Sequence, residues 1–410
     1  MADLVPRPAH EARCGGRAEL AAALQASRRD TLSVFAALER ALEGLAVPMH
    51  ETLNPPLWEL GHVGWFQEYW IGRNPQRQQG PRADPLAARA APGRAGADAL
   101  YDSSSVPHDS RWSLPLPGAG ETRADLARQL EASLAILGRS EEDEASLYFF
   151  RLALLHEDMH HEAALYMARS LGIDLGDARW DARPLLGVRT EIPFPAASWR
   201  LGGADAGFAF DNELEGRVEA LPATRIDSEV VRWREWLPFV EAGGYARAEF
   251  WSREGRDWLA RERPGAPRYL RREGGAWQER RGGSWVALDL DCAASHLTYY
   301  EAQAWCRWAG RRLPSEGEWE RAACERPHDF HWGAVWEWTR DAFLPYDGFL
   351  PHPYRDYSAP WFGSRQALRG ASHLTQPRMH HPRYRNFFPA HRNDIAAGFR
   401  TCAPDEDTPP

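Results

Sequence analysis

The sequence predicts a multidomain α+β protein, in which a helical bundle is followed by a compact α+β domain with little regular structure. Its 410 residues exceed what one hydrophobic core usually organises, so two or three domains are expected. Apolar residues recur at helical spacing up to Gly172, and beyond it short apolar runs are broken by Gly, Pro and Trp. We therefore place the helical domain at residues 18–175 and the second domain at 190–404.

Four helical patterns lie in the first domain. In residues 19–46, Leu24, Phe35 and Leu42 belong to one apolar stripe with the period of a helix. The other three patterns cover 56–71, 121–137 and 141–170, and a long loop rich in Pro, Gly, Ala and Arg spans 72–117. Because bundles often carry one long crossing connection, the sequence predicts a four-helix bundle. The second domain shows helical patterns at 230–242 and 299–323.

Charge and composition argue against several function classes. Lys and Arg total 49 and Asp and Glu total 58, a net charge of −9, which argues against a nucleic acid or an anionic membrane as partner. All 49 basic residues are arginine, so a lysine Schiff base and a Walker-A phosphate site are both excluded. The five cysteines are scattered and form no CxxC pair, which argues against a disulfide framework or a four-cysteine zinc site.

The chain shows no signal for a membrane or for export. It contains no run of 18 apolar residues, and its first residues lack the apolar core of a signal peptide. We expect a soluble cytoplasmic protein that is a monomer or a weak dimer, with a disordered tail at 403–410.

The strongest chemical signal is the stretch HEDMHHE in the fourth helical pattern. His156 and His160 are four residues apart, so their rings project from one helical face and can share a metal ion. Glu162 lies about 200° round the helix from His160 and cannot complete that site. His62, in the second pattern, is the best third ligand, because bundle metal sites form between facing helices.

Other interpretations of these histidines stay open at this point. Pairs four apart also occur by chance, and a single histidine such as His62 is more often a hydrogen-bonded core residue. The stretch also matches the H-E-x-x-H zinc-protease motif with Glu157 as the base, although the third histidine of such enzymes lies downstream. His161 is expected to be solvated or to support the ligands. Three neutral imidazoles suit zinc and iron about equally.

Motifs in both halves carry a family resemblance. LGHVGWFQEYW (60–70) and HEDMHHE (156–162) resemble a DinB-like bundle. The second half resembles a C-type-lectin-like, formylglycine-generating-enzyme-like domain in AQAWCRWAGRRLPSEGEWERAA (302–323), WGAVWEWT (332–339), LRGAS (368–372) and GFR (398–400). In this order the two halves resemble the ergothioneine-synthase family of non-haem iron enzymes. A formylglycine-generating activity itself is disfavoured, since Cys402 stands alone near the final GFR.

The resemblance implies a chemistry and a set of roles. In that family three histidines bind Fe(2+), matching His62, His156 and His160, and O2 is used to join a sulfur donor to C2 of the imidazole of hercynine. The resemblance also assigns hercynine contacts to Asn386 and Phe387, and a proton-donating tyrosine to the second domain. We match that tyrosine to Tyr346, with Tyr354 and Tyr357 as alternatives.

The donor-binding positions depart from the sulfur-using pattern. Of the arginines that hold γ-glutamylcysteine in the family, the chain keeps only Arg111, and Phe388 stands where an acid would meet the donor's ammonium group. Asp109 and Trp112 suit a neutral sugar better. Residues 54–77 resemble the selenoneine-synthase branch, which implies a selenosugar (1-selenoglucose) as donor.

Three alternatives remain beside this reading. An ergothioneine-type sulfoxide synthase would use γ-glutamylcysteine or cysteine. A DinB-like zinc thiol transferase or hydrolase would use the same histidines, and a binding module would use the second domain as a ligand scaffold. Arginine pairs such as Arg271-Arg272 and Arg280-Arg281 are expected to be solvated surface.

Overall fold

A computed structural model describes residues 5–203 and 206–405, so part of the tail predicted to be disordered, residues 406–410, lies outside the described residues. The α-helices of the described chain are α1 (Arg7–Cys14), α2 (Arg17–Ala41), α3 (Pro56–Gln67), α4 (Ala97–Tyr101), α5 (Ala119–Leu137), α6 (Glu144–Leu171), α7 (Trp233–Glu241), α8 (Arg253–Glu262), α9 (Tyr299–Trp308) and α10 (Glu316–Glu325). None of these helices is long and apolar enough to cross a lipid bilayer.

The strands of the described chain follow the helical half. They are β1 (Glu191–Phe194), β2 (Ala197–Leu201), β3 (Arg217–Leu221), β4 (Thr224–Asp227), β5 (Leu270–Glu273), β6 (Ala276–Arg281), β7 (Ser284–Ala287), β8 (Trp336–Ala342), β9 (Gln366–Gly370), β10 (Arg385–Phe388) and β11 (Ala397–Gly398). Four of them form one sheet in the order β10-β9-β8-β11, and the others form small two- and three-stranded sheets. The molecule is therefore a helical N-terminal region with a sheet-containing C-terminal region.

Local sequence sets the limits of the longest helix. Asp143 begins α6, and its carboxylate accepts hydrogen bonds from the backbone N–H groups of Ala145 and Ser146, at 3.0 Å each. Gly172 ends it in the left-handed conformation, with φ of 73°, which glycine adopts without steric cost. Helix α6 packs against α2 and α3, and this packing positions the histidine face of α6.

Most predicted helices agree with the structure within a few residues, and one does not. The pattern at 299–323 forms two helices, α9 and α10, because the chain turns at Gly310, with φ of 64°, and Pro314 precedes the second helix. Thr298 with Glu301, and Ser315 with Glu318, form a capping box at the start of each helix.

Two features of the N-terminal region were not predicted. Among the described residues, the long loop 72–117 contains α4 and two short 3₁₀-helical segments, Arg77–Arg82 and Asp109–Trp112. Helix α1 lies before the predicted domain start at residue 18 and packs against the turn Pro377–Met379 of the other half. Arg13 of α1 also forms a buried bidentate ion pair with Glu213, at 2.6 and 3.0 Å.

The two halves share one apolar core. A single cluster of buried residues includes Trp58 and Phe149 from the helical half and Trp233 and Trp336 from the other. A broad shared core of this kind holds the two halves in a fixed relation, so that a site formed between them keeps its geometry.

Candidate active site

The three predicted metal-binding histidines come together between α3 and α6. The ring of His62 lies 5.1 Å from that of His156 and 4.8 Å from that of His160, and the last two rings are 4.4 Å apart, centroid to centroid. One ligand atom from each lies within 4.8 Å of the others. We call these three residues the histidine cluster.

Hydrogen bonds to the far side of two rings fix which nitrogen faces the centre. Nδ1 of His62 donates to the carbonyl oxygen of Tyr101 at 2.7 Å, and Nδ1 of His160 donates to the carboxylate of Glu59. Because a carbonyl and a carboxylate only accept, each Nδ1 carries a hydrogen, and in the neutral ring Nε2 carries the lone pair. Nε2 of His160 lies 3.2 Å from Nε2 of His156, whose Nδ1 is buried and has no hydrogen-bond partner among the described residues.

Aromatic side chains enclose the histidine cluster. Trp58 stacks on His62 with centroids 4.7 Å apart, and Phe66 stacks on His156 at 3.5 Å. Burial lowers the pKa of His62 to about 3 and holds the pKa of His156 well below its ordinary value. Neutral imidazole is the form that binds a metal ion, so the donor set and the lowered pKa values of these two histidines fit a divalent metal.

The other face of α6 serves a different purpose. Glu157 is buried in a bidentate ion pair with Arg28, at 2.7 and 3.1 Å, and so is not available as the base of a zinc protease. Asp158 is held in the same way by Arg378, at 2.8 Å to each oxygen. His161 was expected to be solvated or to support the ligands, but it is 1% exposed beside Trp180, and burial lowers its pKa to about 4.

The histidine cluster lies at the wall of a cavity of about 650 Å³ between the two halves. Of the cluster, His160 lines the cavity, while His62 and His156 are buried behind it, each 2% exposed. Further residues from α6, from the long connection and from the C-terminal half complete the lining. They include Ser103, Ser104, Arg111, Met159, Glu162, Tyr354, Asp356, Tyr357, Trp361, Tyr384, Asn386, Phe387 and Phe388.

Glu162 connects α6 to the C-terminal half at this cavity. One of its carboxylate oxygens accepts from the indole N–H of Trp336 at 2.7 Å and from the hydroxyl of Ser372 at 2.9 Å. Burial raises the pKa of Glu162, and these hydrogen bonds oppose the rise. This position agrees with the helical spacing, which places Glu162 about 200° round α6 from His160 and outside the metal ligands.

Four of the predicted substrate-binding residues line the cavity, namely Arg111, Asn386, Phe387 and Phe388. Asn386, Phe387 and Phe388 belong to β10, and Phe387 is stacked on Phe343 with centroids 4.1 Å apart. The guanidinium of Arg111 lies 3.9 Å from the centre of the Trp58 ring. These contacts fix two walls of the cavity, one from each half of the molecule.

Two residues expected to contact a sugar do not line this cavity. Asp109 and Trp112 are absent from its described lining, and the indole N–H of Trp112 donates to the carbonyl of Val47 at 2.9 Å. The turn Asp109–Trp112 directs Arg111 inward and Trp112 away from it. Ser103 and Ser104 line the cavity from the same connection.

Comparisons with known proteins decide the family. The sulfatase-modifying factor enzyme 1-like domain family matches residues 189–334 and 327–404. Hercynine oxygenase from Mycolicibacterium thermoresistibile is 30% identical over 94% of this chain and 94% of its own length. Hercynine oxygenase from Mycobacterium tuberculosis is 29% identical over 85% of this chain and 90% of its own length. The chain belongs to the hercynine oxygenase family.

The formylglycine-generating enzyme of Bos taurus is similar to a smaller part of this hercynine oxygenase family member. It is 27% identical over 41% of this chain and 54% of its own length. The hercynine oxygenases match both halves, and with them the helices that carry the histidine cluster.

Tyr346, the tyrosine we matched to the family's proton donor, does not line the cavity of this family member. It is buried against Arg385, whose guanidinium lies 4.1 Å from the centre of its ring. A Cβ atom on Gly202 would lie 2.5 Å from the same ring, so the backbone also encloses it. Tyr354 and Tyr357, the two alternatives, line the cavity instead.

The structure adds residues that sequence reasoning missed. Glu59 lies one turn before His62 on α3, and a carboxylate at that spacing from a histidine is a readable signal for a supporting group. The contact from Tyr101 comes through its backbone carbonyl, which no side-chain pattern can show. Tyr384 pairs with Tyr357 hydroxyl to hydroxyl at 2.8 Å and was not singled out.

Proposed function

We propose that this chain is a non-haem iron(II) enzyme that uses O2 to form a bond from C2 of the hercynine imidazole to the selenium of a selenosugar. The observation that carries the proposal is the histidine cluster, held at the wall of a large cavity between the two halves. The helical region would then be a DinB-like bundle that supplies the metal ligands. The C-terminal half would supply most of the substrate contacts.

Iron suits this role better than zinc. The relatives are named oxygenases, and an oxygenase that uses a metal needs one that can change its oxidation state. Zinc has no redox chemistry in proteins. Iron held by His62, His156 and His160 would supply the activation of O2, and Glu59 and the Tyr101 carbonyl would keep two of the imidazoles oriented.

The C-terminal wall suits hercynine. Hercynine carries a permanent trimethylammonium group, which aromatic faces attract, and Tyr354, Tyr357 and Phe387 present such faces to the cavity. Asn386 offers amide hydrogen bonds beside them, although its side-chain oxygen already accepts from the N–H of Phe387 at 2.9 Å. This wall would hold hercynine with its imidazole toward His160.

Tyr354 is the proposed proton source in place of Tyr346. Its ring lies 5.9 Å from the ring of His156 and 4.9 Å from that of Phe66. Burial raises its pKa, so the phenol stays protonated at neutral pH and can donate a proton to oxygen-derived groups in the cavity. Tyr357 already shares its hydroxyl with Tyr384.

The charge of the cavity favours a neutral, hydroxyl-rich donor. Among the described residues of the lining, Arg111 is the one arginine, and its guanidinium already donates to Asn54 at 2.8 Å. γ-Glutamylcysteine carries two carboxylates, which are costly to bury without cationic partners. Asp356 and the serines at 103 and 104 can accept from and donate to sugar hydroxyls, and Trp361 offers a stacking face.

A competition assay tests the donor. Iron(II)-loaded protein is given hercynine with equal 1-selenoglucose and γ-glutamylcysteine in air, and the products are read by mass spectrometry. We expect the carbon–selenium product to dominate. A γ-glutamylcysteinyl hercynine sulfoxide as the main product would contradict the selenosugar assignment and leave the chain an ergothioneine-type synthase. No product from either donor, with full iron loading, would contradict the whole proposal and favour zinc chemistry.

A further inference from the structure

One short segment brings both cavity tyrosines to their positions. Residues 352–358, which we call the tyrosine segment, contain no regular strand or helix. Tyr354 packs edge-on to Phe66, and Tyr357 packs on Phe210 with centroids 4.4 Å apart. An irregular segment holds such a geometry only where other contacts fix its backbone.

A single buried carboxylate binds both ends of the tyrosine segment. Asp211, which is 3% exposed, accepts the backbone N–H of His352 on Oδ2 at 3.2 Å and the hydroxyl of Ser358 on Oδ1. The side-chain amide of Asn212 donates to the same Ser358 hydroxyl at 3.0 Å. The two tyrosines therefore lie between two hydrogen bonds to one side chain.

The turn that carries Asp211 is itself fixed from two sides. The backbone carbonyl of Asn212 accepts from Arg385 at 2.9 Å, and Arg385 begins β10, the strand of the hercynine contacts. Glu213 forms the buried ion pair with Arg13 of α1. The turn Asp211–Glu213 thus joins α1, β10 and the tyrosine segment.

We propose that Asp211 is a positioning residue, which holds Tyr354 and Tyr357 against the histidine cluster and the hercynine wall. The proposal rests on the proposed function for its catalytic readout. Asp211 does not line the cavity within the described chain, so it acts through the tyrosine segment and not on substrate. Loss of its carboxylate would loosen the segment while leaving the histidine cluster intact.

The test compares Asp211→Asn with the wild-type protein, both loaded with iron(II). Asparagine keeps the size of the side chain but replaces one acceptor oxygen by an NH2 group, so one of the two segment bonds is lost. We expect faster amide hydrogen exchange in residues 350–360, unchanged metal content, and a fall in kcat of about 10-fold with KM for hercynine within about 2-fold.

A matched control separates positioning from general stability. Asp227 is 4% exposed and, like Asp211, lies outside the described lining of the cavity and accepts from a backbone N–H and a hydroxyl, here both of Thr401. Its other described side-chain partners are Arg189 and Arg311, so its contacts do not include the tyrosine segment. Asp227→Asn should lower the melting temperature without changing kcat of the folded protein. If Asp211→Asn behaves in this same way, Asp211 is not a positioning residue.

A double-mutant cycle tests the route through Ser358. Ser358→Ala should lower kcat less than Asp211→Asn does. In the double variant, Ser358→Ala should lower kcat by a smaller factor than it does in the wild-type protein, because the two residues share one hydrogen bond. Fully additive effects would contradict that route. Hydrogen exchange does not depend on turnover, so exchange unchanged by Asp211→Asn would overturn this inference even if the proposed function failed for another reason.

Discussion

Two clusters of polar side chains, one at the cavity and one buried in the C-terminal half, differ in how their polar atoms are paired. The histidine cluster turns three imidazoles toward one another with no carboxylate between them. A second group, which we call the arginine cluster, consists of Glu316, Glu320, Arg369 and Arg385, and each of its carboxylates faces a guanidinium. The arginine cluster is closed by its own ion pairs, whereas the histidine cluster keeps ligand atoms for a group from outside.

This difference also separates the candidate tyrosines. Tyr346 packs on Arg385 of the arginine cluster, and this contact is structural. Tyr354 lies beside Phe66 and His156, next to the histidine cluster. The contacts of each tyrosine in the folded chain, and not the residue type, separate the two positions.

Breaking the histidine cluster should have the largest effect. We expect His62→Ala, His156→Ala and His160→Ala each to lower iron content to a small fraction of one ion per chain and activity by about 100-fold or more. Iron is measured by mass spectrometry of the purified protein. His161→Ala is the matched control and should keep its iron, because His161 directly follows His160 on α6 but projects about 100° round the helix from it. An active, iron-loaded His62→Ala variant would refute the ligand assignment.

Breaking the arginine cluster should destabilise the fold without touching the metal. Arg385→Met removes the bidentate partner of Glu316 and leaves this buried carboxylate with only the longer contact to Arg369, at 3.5 Å. We expect a cost of about 3–5 kcal/mol in the free energy of unfolding. Urea denaturation measures this cost. We expect the fraction that stays folded to bind iron normally, and loss of iron from that fraction would show that the two clusters are not independent.

Substituting the two tyrosines tests the difference between the clusters without disturbing the metal site or the fold. Tyr354→Phe should lower kcat by about 100-fold with iron content and folding unchanged, since it removes one proton donor beside the histidine cluster. Tyr346→Phe, beside the arginine cluster, is the control and should leave kcat unchanged. Equal losses in both variants would remove the distinction that the structure draws between them.

A buried carboxyl without an arginine gives the smallest and most local test. Burial raises the pKa of Glu301 to about 7, whereas the pKa of Glu316 lies below its ordinary value because Arg385 offsets its burial. A raised folded-state pKa adds stability that is fully present below about pH 4.5 and is lost as the pH rises through about 7. Glu301→Gln should therefore flatten the fall in melting temperature between pH 5 and pH 8, and an unchanged slope would contradict this.

The sequence predicted what depends on local pattern. Helical spacing placed α6 and its two histidines, and the facing-helix argument found His62, because these signals repeat along the chain. It could not predict that α1 packs on the C-terminal half or that Asp211 holds the tyrosine segment, since both depend on contacts between residues more than 130 positions apart. Which of Tyr346 and Tyr354 lines the cavity depends on contacts of the same kind.

The most direct test of the account is the oxygen-dependent turnover of hercynine by protein loaded with iron(II) and, in parallel, with zinc. The disappearance of hercynine and the uptake of O2 are followed together, with 1-selenoglucose present. We predict that the iron form consumes both and that the zinc form and the His160→Ala variant consume neither. Turnover by the zinc form, or turnover by the iron form without O2, would contradict the account.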